Sequence, residues 1–253
     1  MSLGNKKKPK QPSTKSAKGS CGGSYGGENK PIDKKINRLR ELAAIGRNKR
    51  TSEQNQELCK LLGNTGPSTV FEKRDKKNRE RLTKELQKLV KNDKLVAKAS
   101  EDWSTMSDPD KKKVMKKVLA AQRRAYKPKM AAPKIETYNE GVKDGFITNG
   151  TYNHGTNTIR VNMNSQAKAG TSFEKTVMLL CHEQAHKYQH LIVDRMKSGK
   201  IGPSSLYYRQ AQIWEANTRA YQSTSKGDSF DCYHDQSLER HSHTVEDAVA
   251  AAI

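Results

Sequence analysis

The densest chemistry in the chain lies in "CHEQAHKYQH", residues 181–190, which holds three of its seven histidines. His182 and His186 flank Glu183 in the order His-Glu-x-x-His. On an α-helix residues four apart share a face, so the two imidazoles would meet one metal ion at about 2.0–2.1 Å. Glu183, one position on, sits beside that face. From there its carboxylate would take a proton from a metal-activated water and pass it to a leaving amine, without becoming a ligand itself. That chemistry is hydrolysis of a peptide bond, with Zn2+ as the cofactor. The plainer alternative is a helix that happens to carry two histidines. Against it, the preceding run "VMLLC" would bury the helix, and ionisable groups on a buried helix need a compensating partner, which zinc supplies.

Other elements must position this pentapeptide. A helical pattern runs from Thr171 to about Lys197, opened by a capping box of Thr171 and Glu174. Upstream, "YNEGVKDGFITNGTYNHGTNTIRVN" is rich in Gly, Asn, Thr and β-branched residues and reads as two or three short strands. Its last part places Ile159 and Val161 on one face and Arg160 and Asn162 on the other. Downstream, a helix is expected over roughly Leu206 to Ser223 and a last one from near Ser237. In the first half, Ile36, Leu39, Leu42 and Ala43 share a helical face, followed by Leu58, Leu61 and Leu62 on a segment opened by Thr51 or Ser52. A charged helix follows with a narrow stripe of Leu82, Leu86, Leu89 and Val90, and then one capped by Ser107 or Asp108 with Pro109 in its first turn.

Composition divides the chain at about residue 131, where "AAPK" reads as a linker. Residues 1–130 contain 35 Lys and Arg against 14 Asp and Glu, whereas residues 131–253 contain 13 of each, so the whole +21 lies in the first half. The expected organisation is a disordered basic arm over residues 1–30, a basic helical region with a thin core over 31–130, and a catalytic domain over 131–253. The basic excess suits a polyanion, either nucleic acid or an acidic membrane surface, and equally suits a solvated arm or passage through a secretion machine. Cys21, Cys59, Cys181 and Cys232 form no C-x-x-C pair, which predicts neither a disulfide framework nor a cysteine zinc finger, and fits a reducing compartment. No apolar run is long enough to span a membrane and no cleavable signal peptide is recognisable. Synthesis in the cytoplasm, with any export by a specialised route, is the expectation.

"HEQAH", a strand before it and a glutamate-bearing helix after it together resemble the zincin metallopeptidases. That resemblance covers roughly residues 135–250 and implies an α+β, zincin-like fold, with a small sheet whose edge strand aligns extended substrate above the active-site helix. "HEQAHKYQ", "WEANTRAY" and "YHDQSLERHSH" are similar to the metallopeptidase domains of bacterial effectors and polymorphic toxins. The implied function is a zinc-dependent endopeptidase acting on a protein or peptide, with an immunity or chaperone protein as an implied partner. The metzincin arrangement is excluded, since Ile192 stands where its third histidine would be. The gluzincin arrangement implies Glu215 as the third ligand, on the next long helix; an i,i+4 salt bridge with Arg219 is the competing reading for that residue, and His234, His241, His243 and Glu239 are rival ligands. Tyr233 and His243 are candidate donors to the oxyanion of the tetrahedral intermediate. Gln189 is a candidate to hold a ligand or the substrate backbone, and His190 is expected near the site but one turn from the metal. Two further readings remain open. One is a DNA-associated protease resembling the SprT-like family, disfavoured because no histidine lies between His190 and His234. The other is a basic nucleic-acid-binding protein with a vestigial metal motif.

Overall fold

The computed structural model describes residues 30–67, 69–143, 145–223 and 227–253, with side chains from residue 34 onward. The arm expected over residues 1–30 lies outside the described residues, except that Lys30 opens the first helix. Five helices come first: α1 (Lys30–Ala44), α2 (Ser52–Asn64), α3 (Thr69–Asn92), α4 (Lys94–Asp102) and α5 (Asp108–Ala125). The expected apolar faces are the buried ones, with Ile36, Leu39 and Leu42 in α1 and Leu58 and Leu62 in α2. Thr51 and Gln54 form a reciprocal capping box at the start of α2. Asp93 accepts from the backbone N–H groups of Leu95 and Val96, so the charged helix stops at Asn92 and α4 begins. Ser107 caps α5, with Pro109 in its first turn.

A mixed three-stranded sheet follows, made of β1 (Lys134–Tyr138), β2 (Gly150–Asn153) and β3 (Thr158–Asn162) in the order β1-β3-β2. β1 runs parallel to β3, and β2 runs antiparallel to it with Tyr152 opposite Ile159. Ile159 and Val161 are buried and Arg160 is exposed, as the alternation predicts. Asn162 departs from it and is fully buried, because its amide bonds Glu140 and Thr148 and so holds the loop between β1 and β2. The chain ends in α6 (Lys168–Thr171), α7 (Phe173–Lys197), α8 (Tyr208–Arg219), α9 (Phe230–His234) and α10 (Ser237–Ala250). The expected Thr171–Glu174 box is displaced by one residue. Ser172, with an extended backbone, caps α7 by accepting from Lys175 N–H, while the Thr171 hydroxyl closes α6 on Lys168 O. The fold is α+β and mostly helical. No described helix is long and apolar enough to cross a membrane.

The expected break in organisation at residue 131 is corrected by the packing. α7 is buried on nearly every side, and the face bearing Cys181, Gln184 and Tyr188 is received by α5, with Asn78 of α3 donating to the Tyr188 hydroxyl at 3.4 Å. Gln122 of α5 donates to Cys181 O and Gln184 of α7 donates back to Leu119 O, at 3.1 and 3.2 Å. Tyr126 meets Tyr188 edge-on with ring centres 4.9 Å apart, and Trp103 donates its indole N–H to Ala169 O. Leu82, Leu86, Val118, Leu180, Ile192 and Val245 thus belong to one continuous core. The composition changes at residue 131 because surface charge changes there, whereas the buried faces on either side of it fit together.

The cysteine expectation is also corrected: Cys59 of α2 and Cys232 of α9 form a disulfide across 173 residues, while Cys181 is free and buried. A pairing between residues so far apart leaves no local spacing to read. Removing residues 1–130 would strip α7 of its partners on one face, at about 1.5–3 kcal/mol for each large side chain exposed, against a total stability of about 5–15 kcal/mol for a domain. A fragment of residues 131–253 is therefore expected to lack cooperative thermal unfolding. Circular dichroism melting of that fragment beside the full chain checks this, and a native-like transition in the fragment would contradict the shared core.

Candidate metal centre

The face of α7 turned away from α5 carries His182, His186 and Gln189, and α10 packs along it. Three potential ligand side chains converge there. His182 Nε2 lies 3.1 Å from His186 Nε2 and 3.3 Å from Glu239 Oε2, and His186 Nε2 lies 3.5 Å from Glu239 Oε1. A tetrahedral zinc ion with ligand bonds of about 2.0–2.1 Å separates neighbouring ligand atoms by about 3.3 Å, so the residues present fit the ion. A second group, His182, His243 and Glu246, also clusters. It fits less well, because His243 Nδ1 and Glu246 Oε2 at 2.8 Å already form a hydrogen bond and Glu246 reaches only the outer nitrogen of His182.

Outer contacts aim both imidazoles inward. His186 Nδ1 lies 3.0 Å from Gln189 Oε1, and Gln189 Nε2 donates in turn to Leu238 O at 2.8 Å. His182 Nδ1 lies 3.5 Å from Glu246 Oε2. A carbonyl or carboxylate oxygen beside each Nδ1 favours the proton on that atom and leaves Nε2 for a metal. Glu239 is held from the other side by two tyrosines: Tyr221 donates to Oε1 at 2.7 Å and Tyr233 to Oε2 at 3.1 Å. Tyr221 follows α8 and Tyr233 belongs to α9. The segment between them is anchored to the N-terminal hairpin by the Cys59–Cys232 disulfide and by Arg47, which donates to both oxygens of Asp228.

Burial and neighbouring charge oppose one another on these side chains. Burial would lower the pKa of His182, but Glu239 and Glu246 outweigh it and raise it to about 10. Burial would raise that of Glu239, but His186 and His182 pull it down to about 2. Burial pushes the Glu183 carboxyl upward, with the two histidines opposing. Glu183 has no hydrogen-bond partner among the described residues and lines a cleft of about 1020 Å³ together with His182, His186 and His243.

The sequence expectations fare unevenly. His182, Glu183 and His186 are brought together, and Gln189 holds His186. Glu215 is not brought there: it is buried in α8, paired with Arg219 on its own helix and 3.6 Å from Arg40 of α1. The cause is that α8 turns this carboxylate towards α1, whereas the first turn of α10 delivers Glu239 to the histidines, where a helix N-terminus also favours a carboxylate. Tyr233 reaches Glu239, and His243 lies beside His182 with its Nδ1 on Glu246. His190 lines the cleft and stacks on His154, with burial and that neighbour lowering its pKa to about 4. His241 is buried between Gln189 and Asp75, and His234 stacks on His243. Sequence reasoning missed Tyr221 and Glu246. Glu239, His243 and Glu246 are spaced i, i+4, i+7, a single helical face that could have been read.

Comparison of the chain with protein-family models, curated proteins and solved structures finds no match.

Two outcomes follow from this geometry. Glu239→Ala is expected to lower zinc affinity by more than about 100-fold, beyond the usual effect of losing an outer contact, while Glu215→Ala leaves it unchanged. Competition with a chromophoric chelator measures both, and the reverse ranking would return the third ligand to α8. Zinc uptake at pH 7 is also expected to release about one proton, because His182, with its pKa raised to about 10, is protonated before binding and must be neutral to ligate. The release should vanish above that pKa. Calorimetry in buffers of different ionisation heat reads it directly.

Proposed function

We propose that the chain is a zinc-dependent endopeptidase whose ion would be held by His182, His186 and Glu239. The observation that carries the reading is the convergence of those three side chains, with both Nε2 atoms and the two Glu239 oxygens 3.1–3.5 Å from their neighbours, and with the unpartnered Glu183 carboxylate beside them in the cleft. When bound, zinc supplies a Lewis acid that polarises a carbonyl and makes water more acidic. Glu183 acts as the general base, and its burial makes it a stronger base than an exposed carboxylate. Once protonated, it returns the proton to the leaving amine. His243 is set to stabilise negative charge on the substrate oxygen. Glu246 lies 2.8 Å from its Nδ1, and its Nε2 is buried without a hydrogen-bond partner among the described residues, which leaves that atom to meet a substrate oxygen.

Substrate alignment is supported by β2, which is paired with β3 on one side only and lines the cleft through Gly150, Thr151 and Tyr152. An extended peptide adding to that edge would place its backbone beside Glu183. Gly150 allows the close approach: a Cβ there would come within 2.9 Å of Arg160 O and 3.2 Å of Leu179 on α7. An edge strand packed beside the helix that carries His182 and His186 supports the zincin reading.

Glu183→Gln is expected to keep the zinc content and melting temperature while lowering kcat by about 10²–10⁴-fold, since an amide cannot accept the proton. Elemental analysis and digestion of a mixed peptide library check the two halves of that statement. Undiminished cleavage by the variant would remove Glu183 from the chemistry.

A further inference from the structure

We propose that the outer face of α3 binds double-stranded nucleic acid through its phosphate backbone, independently of the peptidase reading. Lys73, Lys77, Lys84, Lys88 and Lys91 are all exposed. At about 100° per residue they fall within about 60° of one another around the helix. The residues that α3 buries, Phe71, Asp75, Asn78, Leu82 and Leu86, fall on the opposite side, so the stripe points away from the core. It spans about 27 Å, the length of about eight base pairs.

A lysine face opposite a core is by itself ordinary. What sets this one apart is alignment. Exposed lysines without an ion pair also occur elsewhere, Lys34, Lys60, Lys98 and Lys116 among them, but no other described helix brings five into one sector of about 60°. None of the five stripe lysines has an ion pair among the described residues, although Glu80 lies at the stripe's edge. Like charges at helical spacing repel, so a polyanion is the partner that relieves the face. Its chemistry selects among polyanions. Lysines are point charges that suit phosphates and lack the fork that reads base edges. No aromatic side chain lies on the stripe to stack unpaired bases. Val70 is the one exposed large apolar residue of α3, too little to seat the helix in a lipid surface. A duplex bound without sequence preference satisfies all three conditions.

The test uses the full, zinc-loaded chain and a fluorescein-labelled 20-base-pair duplex, followed by anisotropy between 50 and 200 mM salt. The triple variant Lys77→Glu, Lys84→Glu, Lys88→Glu is expected to weaken binding by more than tenfold and to flatten the slope of log K against log salt by about 2.7. Lys34→Glu, Lys35→Glu, Lys49→Glu changes the net charge equally on exposed positions of the N-terminal hairpin and is expected to have a much smaller effect. If the stripe variant does not melt cooperatively, the corresponding Lys→Gln triple replaces it, with the same direction expected. Equal losses in the two triples would reduce the interaction to net charge and overturn the proposal. So would absence of duplex binding, or binding to phosphatidylserine vesicles that the duplex does not displace. Zinc content and peptide cleavage stay unchanged in the stripe variant, which separates this outcome from any failure at the metal centre.

Discussion

A fully buried carboxylate, Glu239, organises the second half of this structure. Taking an isolated carboxylate out of water costs several kcal/mol, and only close partners offset it. Glu239 has four: His182 and His186 from α7, Tyr221 from the end of α8 and Tyr233 from α9. Satisfying one side chain therefore requires three separate stretches of chain to meet around the first turn of α10. The disulfide and the Arg47–Asp228 pair hold the tyrosine-bearing segment in place from outside. The candidate metal centre is the point at which these constraints intersect.

The same carboxylates explain why a cation suits the site. His182 lies between Glu239 on its Nε2 and Glu246 on its Nδ1, with Glu183 close by and His243 on Glu246, so three acids and three imidazoles share one small volume. Without metal, the excess negative charge is met by keeping His182 protonated, and Lys168 reaches Glu246 at 3.5 Å. A divalent ion meets the same field with more charge, and lets the imidazoles act as the neutral ligands for which their outer contacts have already oriented them. The tyrosine donors occupy one lone pair on each oxygen of Glu239 and leave another on each for a cation.

Helical periodicity made part of this legible. The positions of His182, Glu183 and His186 follow from spacing alone, as do the caps at Thr51 and Ser107 and the buried faces of α1 and α2. The third candidate ligand did not follow, because sequence distance does not say which later helix lies along α7. Glu215 had a local partner at i,i+4 in Arg219, and that local pairing is its environment in the fold. Glu239 needed a second return of the chain, driven by the packing of Val245 and Val249 and by Gln189, which binds Leu238 O and Ser242. The boundary at residue 131 misled for a related reason. Net charge is a property of exposed residues, whereas folding units are defined by buried ones. The narrow apolar stripe of α3 is enough to complete a core whose other walls come from α5, α7 and α10.

That division between surface and core bears on how the first half of the chain contributes. α3 and α5 have inner faces that support α7 and so, at one remove, fix the geometry of His182 and His186. Their outer faces carry charge that the core does not use. Substitutions on the two faces should then act almost additively, since they share no partners and lie on opposite sides of one helix. Asp75 is the instructive exception. It belongs to the buried face of α3, yet it meets His241 at 3.3 Å, and His241 lies 3.0 Å from Gln189, the residue that holds His186. A chain of polar contacts thus runs from the basic helix to the candidate ligand His186, and through it a change inside α3 would reach the centre where a change outside would not.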